Sequence, residues 1–349
     1  MLLNRWTLAV AVWFLLAPAA QAQSIKDPDP LFQDSTVVEL LLVAPFSEIM
    51  ELRSTEDSFD GQLHYTSETG IDRQFDIKIR ARGRFRLQEN VCPFAPLRLN
   101  FKKSETDGTL FDHQDKLKLV THCKDNSERH EQLTLREYTA YRLLNLLTDV
   151  SFRVRLLKIT YRDTDESNPE RTAYGFFVEH KDRLAKRLGV DTMEYGMARV
   201  DDLQPGYMNL ISVFHYLIGN TDFSPVRGSK ETCCHNHVLI GEPGDLFYSV
   251  PYDFDQSGFV DANYARPDRR FKLSSVRQRL YRGRCNNNRY LDETLEKYRQ
   301  QRAAIMALPG TQAGLSESTR KYLLKYLRLF YSDIESPGKV ERRLIKKCI

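Results

Sequence analysis

Apolar and charged side chains alternate over eight residues, from 75 to 82, and this run constrains the fold more than any other feature. Phe75, Ile77 and Ile79 face one way, whereas Asp76 and Lys78 face the other. A period of two is typical of a β-strand with one buried face. Other runs that favour strands lie at 37–44, 97–101, 117–119, 152–161 and 173–179. We therefore expect an antiparallel meander early in the chain.

Helical patterns begin at residue 131 and dominate after residue 179. Ala140, Leu143, Leu144 and Leu147 lie at positions i, i+3, i+4 and i+7 of a helix over 131–147. Further helices are expected at 207–218, 291–306 and 317–331, and short strands at 238–240 and 247–250. The chain is therefore predicted to be an α+β protein, with most strands first and most helices later.

The first 22 residues have the pattern of a signal peptide. Arg5 supplies a positive charge, Leu8 to Leu16 form an apolar run, and Ala20-Gln21-Ala22 forms a cleavage site. We expect a mature chain that begins near Gln23 with a flexible leader up to residue 36. A membrane anchor is the alternative, but the apolar run is too short to span a bilayer comfortably. The prediction is an exported protein, periplasmic or secreted, with no stable membrane span after signal cleavage.

All six cysteines lie in the mature part of the chain. They are Cys92, Cys123, Cys233, Cys234, Cys285 and Cys348. An even number in an exported chain predicts disulfide bonds, but the spacing does not fix their pairing. A zinc site at Cys233-Cys234-His235-x-His237 is the alternative, although it lacks the spacing that lets two thiolates converge on one ion.

Positive and negative charges are nearly balanced, with a formal net charge of +4. This excess is too weak to indicate a nucleic-acid partner, and we expect none. Four arginines form a series at alternate positions, namely Arg80, Arg82, Arg84 and Arg86. Such a series is usually a solvated strand face, but guanidinium groups also suit phosphate.

Polar residues that suit phosphoryl transfer lie between residues 219 and 260. Asp222 follows a buried helix, Asn236 precedes a short apolar strand, and Asp253 and Asp255 end the returning strand. The reaction needs a carboxylate for the attacking hydroxyl and oxygen ligands for divalent ions. Two carboxylates on one strand face repel each other, which favours a cation between them. The alternative is that these are ordinary turn residues.

The order of these motifs resembles that of the spore-coat (CotH-type) kinases. The motifs in the second half are Asp222, His235-Asn236 before Val238-Leu239-Ile240, and Tyr252-Asp253-Phe254-Asp255. Those in the first half are Arg82-Gly83 before the strand 97–101, Lys116-Leu117-Lys118-Leu119 before the helix 131–147, and the strand Tyr174 to Glu179. The resemblance covers residues 75–260. The chain departs from it where Pro93-Phe94-Ala95 replaces a Pro-Lys-Lys, and in a long loop at 222–235.

The resemblance implies a two-lobed atypical protein-kinase-like fold, with a β-rich, antiparallel-sheet N-lobe (37–180) and a mainly helical C-lobe (181–349). It implies ATP and Mg2+ or Mn2+ as cofactors. By position, Asp222 would be the catalytic base. The metal ligands would be Asn236, Asp253 and Asp255. The residues near the nucleotide would be Arg80, Arg82, Gly83 and Glu179. Any of Arg98, Lys102, Lys116 and Lys118 could stand in for the missing lysines, and Lys118 is taken as the candidate.

Three hypotheses about function follow. The first is an exported kinase that transfers phosphate from ATP to serine or threonine hydroxyls of a protein in the cell envelope or outside the cell. The second is a non-catalytic kinase-like scaffold that binds an envelope or surface partner, which the missing Pro-Lys-Lys favours. The third is a metal-dependent hydrolase, or another transferase, that uses the same acidic residues.

Overall fold

The computed structural model describes residues 25–194, 198–226 and 235–349. Seven strands of its first half form one closed barrel, in the order β1-β2-β3-β4-β5-β7-β6. They are β1 (Val38–Ala44), β2 (Phe59–Thr66), β3 (Asp72–Ala81), β4 (Leu97–Phe101), β5 (Lys116–Val120), β6 (Val154–Asp163) and β7 (Arg171–Val178). The predicted signal peptide, 1–22, lies outside the described residues.

The strand β1 closes the barrel because both of its edges are paired. It runs antiparallel to β2, with Leu42 opposite Leu63, and parallel to β6, with Val38 opposite Leu157. The prediction of a two-lobed kinase-like fold with an antiparallel-sheet N-lobe is therefore wrong, because the sheet is mixed and closed. Alternation along a strand predicts which side chains are buried, but it does not predict which strand pairs with each edge.

The barrel interior is filled by the apolar side of each strand. In β3 the side chains of Phe75, Ile77 and Ile79 are buried, whereas Asp76 and Lys78 are exposed, so the predicted faces are confirmed. The later part of the predicted leader also contributes to this core, since Leu31 and Phe32 are buried in it. Each such side chain contributes roughly 1.5–3 kcal/mol by leaving water.

Helices cover the barrel and form the rest of the molecule. They are α1 (Phe46–Leu52), α2 (Lys103–Thr106), α3 (Glu128–Asn145), α4 (Lys181–Leu188), α5 (Pro205–Ile218), α6 (Leu291–Gln300), α7 (Arg302–Thr311), α8 (Glu317–Ile334) and α9 (Pro337–Arg343). A small antiparallel sheet, in the order β10-β9-β8, lies among them. Its strands are β8 (Asp191–Met193), β9 (His237–Gly241) and β10 (Tyr248–Pro251).

A second hydrophobic core joins the outside of the barrel to the later helices. The helix α3 packs on β6 and β7, and its apolar side belongs to the same core as α5. Every residue of α5 from Tyr207 to Ile218 is buried. A helix that is buried on all sides belongs at the centre of a protein, and α5 occupies that place here. The single helix predicted at 291–306 is instead divided near Gln301 into α6 and α7.

Two disulfides crosslink the described chain. Cys92 is bonded to Cys123 and Cys285 to Cys348, with Cα atoms 4.8 and 5.0 Å apart. The expectation of disulfides is thus confirmed, and such bonds fit an extracellular or periplasmic protein. Cys233 and Cys234, with the alternative zinc site that includes them, lie outside the described residues. None of the helices in the described ranges is long and apolar enough to cross a membrane.

Candidate functional site

The end of α5 positions Asp222. Gly219 adopts a left-handed conformation there, with φ of 64°. A side chain at this position would meet the Tyr326 hydroxyl at 2.1 Å, so only glycine fits. Asn220 follows, and its side-chain oxygen accepts a hydrogen bond of 2.9 Å from the backbone N–H of Asp222. The loop after α5 is therefore fixed by its own residues.

Two neighbours hold the carboxylate of Asp222. His235 Nε2 lies 2.8 Å from Asp222 Oδ1, and Asn236 Nδ2 donates to Oδ2 at 3.1 Å. The hydrogen bond to Asp222 raises the pKa of His235, burial opposes this, and the charges of Asp222 and Asp253 add to the rise. The side chains of Asp222 and His235 are each 41% exposed. The carboxylate is thus oriented and still open to a substrate.

The hairpin of β9 and β10 brings Asp253 to the same place. Pairing continues past the strand ends, because the Tyr252 N–H donates to the Asn236 carbonyl at 2.9 Å. Asn236 and Asp253 both have left-handed backbones, with φ of 55° and 62°. This conformation costs about 1–2 kcal/mol for each residue, and the surroundings must stabilise it. At Asp253 the backbone N–H donates to the Tyr141 hydroxyl oxygen at 2.8 Å.

Arg86 connects three carboxylates beside this hairpin. Its guanidinium lies 3.0 Å from Glu137, 3.0 Å from Asp253 and 3.3 Å from Asp255. The Tyr264 hydroxyl donates to Asp255 at 2.9 Å. The side chains of Arg86, Glu137 and Asp255 are 11%, 2% and 8% exposed, so the contacts of Arg86 with Glu137 and Asp255 are shielded from water, whereas Asp253 is 35% exposed. Breaking a buried pair of this kind typically costs about 3–5 kcal/mol.

Burial controls the protonation of this acidic cluster. It raises the pKa of Asp255 well above the usual value, and the neighbouring charge of Asp253 adds to this. It also raises the pKa of Glu137, although Arg86 opposes the shift. Burial alone would lower the pKa of Arg86, but the charges of Glu137 and Asp255 raise it instead. Arg86 therefore stays a cation that the three carboxyl groups share.

A row of cationic side chains lies on the outside of neighbouring barrel strands, next to Asp253. It consists of Arg80, Arg82, Arg98 and Lys118. Arg80 on β3 lies opposite Arg98 on β4, and Arg98 lies opposite Lys118 on β5. Like charges in directly opposite positions destabilise a sheet. Burial, followed by the charges of Arg82 and Arg98, lowers the pKa of Lys118 to about 8. Within the described ranges, none of Arg82, Arg98 and Lys118 forms an ion pair with a carboxylate. The row therefore suits an anionic ligand.

Six of the predicted site residues meet in this region. Asp222, Asn236 and Asp253 lie at one end of the hairpin, and Asp255 shares Arg86 with Asp253. Arg82 and Lys118 line a cavity together with Asp253. The Lys118 ammonium lies 4.9 Å from the centre of the Tyr252 ring. The cavity has a volume of about 10 Å³, which is the space of a single water molecule. A larger ligand therefore requires side chains to move.

The other residues predicted to bind the nucleotide have structural contacts. Gly83 has φ of 104° in the turn after β3, and Arg80 lies half-buried on the barrel surface. Glu179 forms an ion pair of 3.1 Å with Arg187 and accepts a hydrogen bond of 3.0 Å from the Arg153 backbone. These contacts fix the chain after β7. Contact of Glu179 with a nucleotide stays a prediction.

The predicted metal ligands differ in how well they fit a divalent ion. Asn236 and Asp253 are partly exposed and offer oxygen atoms, which suits Mg2+ or Mn2+. Asp255 is 5% exposed and is held by Arg86 and Tyr264, so it fits less well. Among the residues that the structure describes, no three or more His, Cys, Asp or Glu side chains are arranged to hold a metal ion.

A buried aromatic and histidine network supports the loop from behind. The two Nε2 atoms of His215 and His237 are 3.2 Å apart, and the His215 ring stacks on Phe223 at 3.7 Å. The Arg282 guanidinium lies 4.5 Å from the centre of the Phe223 ring and donates to the Thr221 carbonyl at 2.9 Å. Burial lowers the pKa of His237 to about 3, so this histidine is neutral near pH 7.

Sequence reasoning missed Glu137, Tyr141 and Tyr264. Glu137 lies on the buried side of α3, at helical spacing from Ala140, Tyr141 and Leu144. A carboxylate on an apolar helix stripe is a usable signal, because charged side chains are rarely buried without a partner. Tyr264 lies in an irregular segment and carries no comparable signal.

Comparison with family models gives no match, and comparison with curated proteins gives no similar sequence. The likeness to the spore-coat kinases therefore rests on the motifs quoted above.

Proposed function

We propose that the chain is an exported phosphotransferase. It would transfer the γ-phosphoryl group of ATP to a serine or threonine hydroxyl of a protein in the cell envelope or outside the cell. The observation that carries this proposal is the half-exposed carboxylate of Asp222, held by two neighbours next to Asp253. The row of cations beside Asp253 supports an anionic ligand, and the motif order supports the reaction class.

Asp222 has the surroundings of a general base. In the proposed step the substrate oxygen bonds to the γ-phosphorus, the bond from that phosphorus to the bridging oxygen breaks, and ADP leaves. The Asp222 carboxylate accepts the proton of the hydroxyl. His235 and Asn236 hold the carboxylate in one orientation, which removes a search over rotamers before reaction.

The phosphate groups would be bound by Arg82 and Lys118. Both line the cavity next to Asp253, and neither has a carboxylate partner in the described ranges. Charged hydrogen bonds to phosphate are stronger than neutral ones, and they stabilise charge that develops in the transition state. Mg2+ or Mn2+, held by Asn236 and Asp253, would neutralise part of the phosphate charge when bound.

A non-catalytic scaffold is the second candidate, and one contact favours it. The guanidinium of Arg86 lies against both Asp253 and Asp255, where the resemblance implies a metal ion. A guanidinium that stays in this position would keep a divalent ion away. A scaffold of this kind would bind an envelope or surface partner without chemistry.

The test is transfer from labelled ATP in the presence of Mn2+ or Mg2+, followed by mass analysis of the protein. Asp222→Asn should lower transfer by about 100-fold or more, since general-base catalysis contributes about that much. The matched control is Asp245→Asn in the turn at the other end of the same hairpin, which is exposed and should keep full transfer. Equal transfer by wild type and Asp222→Asn would refute the proposal.

Thermal unfolding with ATP and Mn2+ separates the two candidates. A ligand that binds only the folded state stabilises it by about 2.7 kcal/mol at a concentration of 100 times Kd. The phosphotransferase should therefore unfold at a higher temperature when ATP is present. An unchanged midpoint at saturating ATP favours the scaffold.

A further inference from the structure

The segment that carries Arg86 is a loop between β3 and β4. It runs from residue 82 to residue 96 and contains no helix or strand. Arg86 nevertheless inserts its side chain among Glu137, Asp253 and Asp255. A long side chain loses about 1.5–2 kcal/mol of rotamer freedom when it is fixed, and the loop backbone loses more. Something must hold this loop in place.

The disulfide between Cys92 and Cys123 provides one anchor. Cys92 lies six positions after Arg86, and Cys123 precedes α3, which carries Glu137. The backbone N–H of Phe94 also donates to the Cys123 carbonyl at 2.8 Å. The crosslink therefore joins the loop of Arg86 to the segment that leads into the helix of one of its three partners.

Arg53 provides a second anchor from the other side. Its guanidinium donates to the carbonyl oxygens of Leu87, Cys92 and Pro93 at 3.0, 3.2 and 2.6 Å. These three carbonyls follow Arg86 along the loop. The loop is thus held at its later half, and Arg86 extends from the fixed part.

The disulfide also lies next to the acidic cluster. Arg86, Cys123, Glu137 and Asp255 line one small cavity of about 10 Å³. Tyr264, which donates to Asp255, lines the same cavity. A change at the disulfide would therefore alter the immediate surroundings of Asp255 and its partners.

We propose that the Cys92–Cys123 disulfide and Arg86 act as one positioning unit for Asp253 and Asp255. The disulfide fixes the loop, the loop inserts Arg86, and Arg86 keeps the carboxylates in their observed positions. Without the guanidinium the neighbouring carboxylates would repel each other and turn toward water. This inference rests on the proposed function only in that Asp253 belongs to that site.

The second disulfide is a matched control within the same chain. Cys285 and Cys348 tie the C-terminal segment, and Cys285 lines a separate groove with Leu246 and Ile349. Its removal lowers stability without touching the contacts of Arg86. Any effect that both disulfides share is a general effect of crosslinking, and only a difference between them supports the proposal.

The experiment measures the exposure of individual carboxyl groups. The full-length protein is treated with a carbodiimide and an amine, and the labelling of Asp253, Asp255 and Glu137 is quantified by peptide mass spectrometry. Cys92→Ala with Cys123→Ala should raise labelling of Asp255 severalfold under conditions where the protein stays folded. Cys285→Ala with Cys348→Ala should leave it at the wild-type level. Equal labelling in the two variants would overturn the proposal.

A double-mutant cycle tests whether the disulfide acts through Arg86. Arg86→Gln should raise labelling of Asp255 by itself, and removal of Cys92–Cys123 in that background should add nothing further. Independent, additive increases would contradict the proposal. Where Arg86→Gln does not fold, Arg86→Lys replaces it. An ammonium cannot bridge three carboxylates as a guanidinium does, so intermediate labelling is expected and wild-type labelling would count against the idea.

Labelling needs neither ATP nor transfer, so the two proposals fail separately. Absence of transfer with the expected labelling pattern would refute the proposed function and leave the positioning unit intact. Normal transfer with identical labelling in all variants would refute the positioning unit and leave the proposed function intact.

Discussion

Lys118 lies on the barrel surface opposite Arg98 and next to Arg82, and burial lowers its pKa to about 8. The ammonium form, which binds anions, is present below that pH. We predict that ATP affinity falls as the pH rises through about 8, and that Lys118→Arg removes this pH dependence because arginine stays charged. Calorimetric titration with ATP at several pH values measures the affinity of each protein.

The control for that prediction is Lys116→Met. Lys116 lies two positions earlier on the same strand and is exposed. Its removal should leave the pH dependence unchanged. A pH dependence that persists in Lys118→Arg would show that another group is responsible.

The pair of His235 and Asp222 gives a second prediction about individual residues. The hydrogen bond to Asp222 raises the pKa of His235 above 6.5, and Asp222→Asn should lower it. The pKa of His235 is higher in the folded protein than in the unfolded chain. The pair therefore stabilises the fold fully at pH values below the unfolded pKa, and this stabilisation is lost as the pH rises through the folded pKa. NMR titration of the imidazole measures the pKa of His235 in the wild type and in Asp222→Asn. An imidazole pKa that is the same in both proteins would refute the prediction.

Individual residues were predicted best where they follow a clear element. Asp222, Asn236 and Asp253 were predicted from short polar motifs at the ends of apolar elements, and the structure brings them together. The contact of Arg86 with three carboxylates was not predicted, because the series of alternating arginines indicates a solvated strand face or a phosphate site. The strand ends at Ala81 and the chain then turns at Gly83, so the period of two no longer applies.

Strands and helices were predicted mostly correctly, and their pairing was not. The pattern over 97–101 gives β4 with its observed bounds, and 131–147 overlaps α3 closely. The strand β2 was not predicted, although Leu63 and Tyr65 are its buried residues. Closure by β1 and β6 could not be predicted, because it depends on contacts between distant parts of the chain.

Gly175 in β7 gives a prediction for a strand. A Cβ atom there would lie 2.9 Å from the Val120 carbonyl oxygen and 3.2 Å from the Ile159 side chain. Gly175→Ala should therefore lower the free energy of unfolding by about 1–3 kcal/mol, as overpacking does. Urea unfolding of the wild type and Gly175→Ala measures this difference in the free energy of unfolding.

Gly310 in α7 is the matched control. A Cβ atom at Gly310 meets nothing within 4 Å. Gly310→Ala should raise stability by up to about 1 kcal/mol, because alanine is the better helix former. A destabilised Gly310→Ala, or an unaffected Gly175→Ala, would show that this account of the packing is wrong.

At the scale of the whole molecule, the second core joins the barrel to the later helices. Residues of α3, α5, α6 and α8 all belong to it. The segments 37–180 and 181–349, which the resemblance implies as lobes, therefore share a large buried surface. This core could not be predicted from either half alone, because each half contributes only one side of it.

The disulfide between Cys285 and Cys348 gives a prediction at the same scale. It closes a loop of 63 residues and so restricts the unfolded chain. By the chain-entropy relation its removal should cost about 4 kcal/mol of stability. Chemical denaturation of Cys285→Ala with Cys348→Ala against wild type measures the loss. A midpoint equal to that of the wild type would contradict the expectation.

The parallel pairing of β1 with β6 also has a consequence for the order in which the chain acquires its structure. Val38 faces Leu157, so the first strand meets this neighbour only after more than a hundred further residues have been synthesised. Contacts of such high contact order form slowly. Until β6 arrives, one edge of β1 presents unpaired amides that another chain can bind. Nascent molecules of this protein should therefore depend on chaperones until the sixth strand is available.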